Sequence, residues 1–515
     1  MTQKLLLAID QGTTGTKVLL LNAEGRIISQ SYQRHTQYYP LPGWAQHDSK
    51  EIWSRLQQCV SEALKSVSAH AGQIEAVGLS NQGETSLFWD NQTGEPISPA
   101  ILWSCKRSLA IAERWSRDGR WPELVGERTG LNIDPYFSAT KIRWMMDEIP
   151  EVREAIRQGR ARCSTLDSWL INQMTGNKGC YVTDSSTAAR TLLFDIQKKQ
   201  WDPDITGYLE IDIEWLPEVL PSVHSYGVTD PVNFCGIQAP VLVSMVDQPA
   251  SLYGHRCLEP GMTKCTYGTG CFVYMNTGSV ITPTNRTKGL LSTIAWEKND
   301  NEVTYALDGG VLSAGSALDW ARDELGLYGD LGELNSWSDR WYNALSERNT
   351  ATLNHEVMFI PALSGLAAPH WNPAAAGMFL GLTLHSDKET LTRAILEGIA
   401  HSVTDVMDVM KDASGRQISV LCTDGGLSQS DYLMQFQADI SGIPVERKEL
   451  SDTTALGIAY LLGEACGWWT YEEITSSSVL KNVFEPRWSS DYRGEIRYRW
   501  QQAMQFLVSF KSKTI

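Results

Sequence analysis

Twice in this chain a short apolar run breaks at a cluster of Gly and Thr and resumes as a second apolar run. The first instance reads KLLLAI, DQGTTGT, KVLLLN (4–22), then a turn at AEG and a further run, RIISQSYQ. The second reads GMTKCTY, GTG, CFVYMN (261–276), followed by TGS. Runs of that length around small-residue turns predict antiparallel strands. Recurrence half a chain apart predicts two related units. At roughly 150 residues per domain, 515 residues are too many for one core, so two large lobes are expected. The boundary is placed near 255–260, where HRCLEPG introduces the second meander, giving lobes of 1–255 and 256–515.

Helical periodicity fills the intervals. Residues 49–67 carry apolar side chains at Ile52, Leu56, Val60, Ala63 and Leu64, and 388–410 repeats the pattern. APVLVSMVDQPA (239–250) and ISVLCTDGG (418–426) each read as a strand entering a loop and a helix. This alternation predicts α/β lobes with ligands at strand ends and helix starts.

Charge and cysteine usage exclude several classes. A net charge of -16 repels nucleic acid and anionic membranes, so the expected partner is a small molecule. The ten cysteines form no CxxC pair and no Cys/His cluster, which argues against a zinc site or a disulfide framework and for a cytoplasmic protein. The apolar run LLLAI stops at Asp10, too short for a signal peptide, and no stretch approaches a membrane span.

Each motif has a plain and a functional reading. DQGTTGTK (10–17) and YGTGCF (267–272) are either ordinary hairpin turns or turns whose N–H groups and Thr hydroxyls face a phosphate. The first is not a Walker loop, because the GxxxxGK[ST] spacing is absent. TDGGLSQSDYL (423–433) is either a βα turn capped by Ser430 or a place where Gly425 and Gly426 let a base or phosphate approach the backbone. In MVDQPAS (245–251), Asp247 or Gln248 either caps a helix started by Pro249 or presents a carboxylate that takes a proton from an attacking hydroxyl. WSCKR (103–107) and DPYFSATK (134–141) are aromatic segments of core or interface type, or the apolar lining of a polyol pocket.

Together and in this order, DQGTTGTK, NQGET, WSCKR, DPYFSATK, VDQPA, YGTGCF and TDGGLSQSDYLMQFQ resemble the FGGY carbohydrate kinases, and within them the glycerol kinase branch, from about residue 5 to 470. The resemblance implies a two-lobed ribonuclease-H-like fold of the actin and hexokinase type, with a deep cleft that closes on ATP, Mg2+ and a polyol or sugar. It implies that Asp10 organises magnesium, that Asp247 is the catalytic base, and that Thr13, Thr14, Lys17, Thr269, Gly270, Gly315, Gly426 and Ser430 line the ATP site. Gly83, Glu84, Trp103, Tyr136, Asp247, Gln248 and Phe272 fall at substrate-pocket positions. A homodimer or homotetramer is the assembly left open. Lys17 stands where the branch has arginine, and Asp319 and Ser430 replace amide side chains.

Gly83 is the main departure, since the branch pattern is Asn-Gln-Arg-Glu-Thr. Loss of five donors and a fixed charge predicts more room at one end of the pocket and the loss of contacts worth roughly 1.5 to 3 kcal/mol each. It also predicts that Glu84 and Asp247 lack a cation, with Lys106 or Arg107 as candidates to fill the gap. PVNFCGIQAP (231–240) and FEPRWSSDYR (484–493) do not match the branch's regulatory segments, so neither form of control is expected. The expected function is ATP-dependent phosphorylation of a terminal hydroxyl, with glycerol the leading substrate and a four- or five-carbon polyol or ketose the runner-up. A non-catalytic sugar or nucleotide sensor and an ATPase acting on water are the rivals on the same fold.

Overall fold

The structure is a computed structural model that describes residues 3–177, 180–283, 288–298, 302–346, 357–372, 374–448, 452–470, 472–473 and 480–509. Its first sheet contains β1 (Leu5–Gln11), β2 (Gly15–Leu21), β3 (Ile27–Arg34), β4 (Ile74–Asn81) and β5 (Val241–Val246), in the order β5-β4-β1-β2-β3. The β1-β2-β3 meander is antiparallel, while β4 and β5 run parallel to β1. The second sheet contains β6 (Thr263–Tyr267), β7 (Cys271–Gly278), β8 (Leu291–Glu297), β9 (Val303–Val311), β10 (Leu421–Asp424), β11 (Val445–Lys448) and β12 (Leu480–Phe484). Its order is β8-β9-β7-β6-β10-β11-β12, so β9-β7-β6-β10-β11 repeats the first sheet's arrangement with the same mixture of directions. The duplication expected from the two Gly/Thr breaks is therefore present. One detail differs: the strand beside β7 is β9, with β8 added at the edge.

Strand β1 is buried on both faces, and its alternation feeds two cores. Leu5, Leu7 and Ile9 pack with Ile52, Leu56 and Val60 of α1 (Ser49–Ser66), while Leu6 and Ala8 pack on the opposite side. That opposite side is covered by α3 (Asp247–Gly254) and α7 (Thr453–Ala465), α2 being the short helix Ser185–Ala188. Helices α4 (Gly315–Asp323), α5 (Lys388–Ser414) and α6 (Asp431–Ser441) pack with the second sheet. Helix α7 follows the second sheet's β11 in sequence yet packs on the first sheet, so the chain crosses back between lobes there.

The α3–α7 crossing depends on two glycines. A Cβ on Gly254 would lie on the Thr453 carbonyl oxygen, and one on Gly457 would lie on the Ala250 carbonyl oxygen. Only residues without a side chain allow backbones this close. The crossing is antiparallel: the end of α3 at Gly254 meets Thr453 at the start of α7, which Asp452 immediately precedes, while Asp247 opens α3 at its other end.

Candidate active site

Parallel strands β1, β4 and β5 deliver Asp10, the Gly83–Glu84 turn and Asp247 to the carboxyl ends of the first sheet's strands, where open α/β sheets bind ligands. Asp247 is the first residue of α3, but the residue at the cap position is Val246 and no side chain caps the helix. The expectation that Asp247 or Gln248 caps α3 is thus corrected. Asp247 instead accepts a 2.7 Å hydrogen bond from the backbone N–H of Gln248. Burial raises its pKa, against Lys264 and Arg190, which favour the ionised form.

Asp10 has one oxygen buried with no partner at hydrogen-bonding geometry, the Ser80 hydroxyl being its neighbour. Its pKa is pushed up to about 7, first by burial and then by the Asp247 and Asp452 carboxylates, with Lys17 opposing them. Lys17 Nζ lies 2.5 Å from Asp452 Oδ2. Among the described residues no group of three or more His, Cys, Asp or Glu is arranged to hold a metal by itself. A buried, underbonded carboxylate beside other carboxylates does fit magnesium, which takes one or two protein carboxylates plus phosphate oxygens and water.

The substrate-pocket candidates converge. Glu84 is buried with its backbone in the left-handed region at φ 60°, a conformation costing of order 1–3 kcal/mol for a non-glycine residue. Its Oε1 accepts a 2.6 Å hydrogen bond from Arg190 Nε, and Arg190 Nη2 reaches Asp308 Oδ2 of β9 at 2.9 Å. Burial raises Glu84 to about 7 even with Arg190 pulling the other way. Trp103 meets Tyr136 edge-on at 5.5 Å and Phe272 at 6.3 Å, so one indole links the two lobes' aromatic side chains. Its Nε1 donates to Thr13 Oγ1 at 3.0 Å, joining the pocket to the first hairpin. Gln248 accepts from Lys264, which also donates to Thr266 Oγ1 at 2.9 Å.

The surroundings of Gly83 differ from expectation in two respects. Lys106 and Arg107 do not fill the gap: the Arg107 guanidinium is drawn to the Trp44 and Trp144 rings and donates to Gln46 Oε1, while Lys106 is exposed. The guanidinium beside Glu84 is that of Arg190. Nor is the space at Gly83 open at its base, because an added Cβ would come within 2.6 Å of Val246 Cγ2 and 3.9 Å of Arg190 Cγ.

At the second sheet, the β6–β7 turn carries Thr269 and Gly270, and its Gly268 and Thr269 carbonyls accept from the N–H groups of Gly315 and Ser316 at 2.9 and 3.1 Å. The turn and the start of α4 form one unit. A Cβ at Gly315 would meet the Gly268 oxygen at 2.8 Å. Gly315→Ala is expected to push the turn away and raise the KM for ATP about tenfold while leaving the polyol KM unchanged, which steady-state kinetics with each substrate varied would check. Gly425 has φ +87° and lies against the Tyr267 backbone, so its role is conformational, whereas a Cβ on Gly426 would meet nothing within 4 Å. Ser430 caps α6, accepting from the Leu433 N–H at 3.3 Å, and exposed Asp319 pairs with Arg322 at 3.1 Å. Thr14, also exposed, lies 3.2 Å from the Tyr32 hydroxyl.

Five residues around this site were not found by sequence reasoning: Lys141, Arg190, Lys264, Asp308 and Asp452. Buried Lys141 donates to the carbonyls of Pro135, Tyr136 and Phe137, holding the turn that presents Tyr136, and burial lowers its pKa to about 7. The only cue was a lysine one helical turn into an otherwise apolar-facing segment.

Two family models cover most of the chain: the FGGY family of carbohydrate kinases, N-terminal domain, over residues 5–254, and its C-terminal domain over 263–466. Among curated proteins, a glycerol kinase of Pseudothermotoga lettingae is 41% identical over 505 residues, 98% of both chains, and one of Bacillus subtilis is 39% identical over 98% of this chain and 99% of its own. A solved Plasmodium falciparum glycerol kinase with ADP superposes with a TM-score of 0.90 at 30% identity, covering 99% of each chain. A xylulose kinase of Lactobacillus acidophilus shares the fold at TM-score 0.84 and 20% identity over 98% of this chain and 99% of its own. No described helix is long and apolar enough to cross a membrane. With two matching domain models in register with the duplicated sheets and relatives near 40% identity across the full length, the chain belongs to the FGGY family of carbohydrate kinases and is an ATP- and Mg2+-dependent enzyme.

Proposed function

We propose that this kinase phosphorylates a terminal hydroxyl of a small polyol, with glycerol as the leading substrate. The observation that carries this reading is the convergence of two acceptor carboxylates, Glu84 and Asp247, with the Trp103–Tyr136–Phe272 aromatic group at the strand ends beside the first hairpin. Carboxylates accept from hydroxyls, and aromatic rings cover the C–H faces of a short polyol. An ATPase acting on water has no use for that lining.

In this reading Asp247 accepts the proton of the attacking hydroxyl as its oxygen bonds to the γ-phosphorus and the bond to ADP breaks. Gln248 and Glu84 orient the acceptor. Thr13, Thr14, Lys17, Thr269 and Gly270 face the phosphates, while Gly315, Gly426 and Ser430 border the rest of the nucleotide. Asp10 would hold Mg2+, which supplies charge neutralisation on the phosphates when bound. Lobe 1–255 contributes the polyol site and the first hairpin, and 256–515 the nucleotide site and the second, apart from α7 and Asp452, which return to the first sheet. A cytoplasmic location and an assembly of two or four copies complete the proposal.

The test is ATP consumption against glycerol, erythritol, pentitols and pentuloses. Highest kcat/KM on glycerol is the expected result. Better turnover of a longer substrate reassigns the acceptor, and no polyol-dependent consumption at all would favour a sensor.

A further inference from the structure

Resting on the reading of this cleft as a polyol site, we propose that Arg190 is the residue that sets polyol selectivity in this chain: a positioning residue that fixes the Glu84 carboxylate and ties it to the opposite lobe. The guanidinium is 2% exposed and held at two of its three nitrogens. Nε donates to Glu84 Oε1 at 2.6 Å, and Nη2 lies 2.9 Å from Asp308 Oδ2. Tyr136 and Phe137 cover it, with ring centroids 5.9 and 5.4 Å from Cζ. Nη1 is buried and makes no hydrogen bond among the described residues.

Glu84 follows β4 of the first sheet and Asp308 sits on β9 of the second, so the triad joins the two lobes. An isolated carboxylate in this buried turn would favour its neutral form. Arg190 supplies a countercharge that opposes this, and it fixes which oxygen is engaged, leaving Oε2 for the substrate. A substrate hydroxyl can donate to that oxygen, whereas an alkyl end cannot. The selected class is therefore a polyol that presents a hydroxyl to Glu84, whose orientation Arg190 fixes in the absence of a side chain at Gly83.

The experiment compares wild type, Arg190→Lys, Glu84→Gln and the double variant, with polyol and ATP varied separately and polyol binding also followed by tryptophan fluorescence without nucleotide. Arg190→Lys is expected to raise the polyol KM about 10- to 100-fold and weaken binding in parallel, with the ATP KM unchanged. In the Glu84→Gln background the same change should add less than about threefold, because its effect passes through Glu84. An unchanged polyol KM, an equal rise in both KM values, or a full independent effect in the Glu84→Gln background overturns the proposal. If Arg190→Lys does not fold, Asp308→Asn removes the second anchor and must raise the polyol KM several-fold with the ATP KM unchanged; no rise overturns the proposal. Wild type inactive on every polyol would defeat the functional reading itself, whereas an active wild type with unmoved variants defeats only this inference.

Discussion

Asp247→Asn is expected to lower kcat about 10²- to 10⁴-fold while changing the polyol KM by only a few-fold, since a general base acts in the transition state and an amide keeps the shape and one acceptor oxygen. The wild-type pH profile follows from the same residue. Burial raises the Asp247 pKa against Lys264 and Arg190, so the ionised, competent form is favoured by rising pH and is lost as pH falls. The acid limb of kcat/KM should therefore lie above the ordinary carboxylate range near 3.9. Rapid-mix measurements of phosphoryl transfer across pH 5–9 would decide. A variant that retains wild-type kcat, or one that keeps the same acid limb, would mean that another group takes the proton.

Asp10→Asn is expected to stabilise the protein while abolishing most activity. The Asp10 pKa is about 7 in the fold against about 3.9 in an unfolded chain. A carboxylate whose pKa rises on folding binds its proton more tightly in the native state, so native stability is fullest below the unfolded value and declines as pH rises towards 7. Three pH units correspond to at most about 4 kcal/mol, expressed fully only above pH 7. At pH 8 the amide should recover about 2 to 4 kcal/mol, and near pH 4 it should recover nothing. Mg2+ should stabilise wild type at pH 8 and leave Asp10→Asn unchanged. Urea melts at pH 4 and pH 8, with and without Mg2+, read both effects, and kcat should fall about 10³-fold for want of the metal's carboxylate. Equal stability of the two proteins at pH 8 would mean that the Asp10 charge is already compensated.

The parts of this site that could be read from sequence share a physical property: they lie where an apolar run stops. Asp10 and Asp247 announce themselves because a carboxylate ending a buried strand needs a reason, and the Gly/Thr breaks at 12–16 and 268–270 mark turns whatever they bind. The duplicated sheet was legible for the same reason. What could not be read is the set of countercharges. Arg190 lies 106 residues from Glu84, and Asp452 lies 435 from Lys17. Both acquire meaning only when the lobes are assembled. Local reasoning about Gly83 could offer Lys106 or Arg107 only as candidates, and Arg107 is claimed by Trp44 and Trp144, whose proximity to it is a product of the tertiary fold.

The glycine crossing of α3 and α7 bears on how a family of this kind can diversify. At Gly254 and Gly457 the two backbones touch, and no larger residue fits without moving a helix. Asp452 precedes α7 at this crossing and Asp247 opens α3 at the end away from Gly254, so the separation of the base from the acid cluster is inherited along α3 from a contact with no slack. The side chains of Arg190 and Phe272 border the pocket without taking part in that crossing. Substrate preference can therefore drift by single replacements while the geometry of proton removal stays fixed.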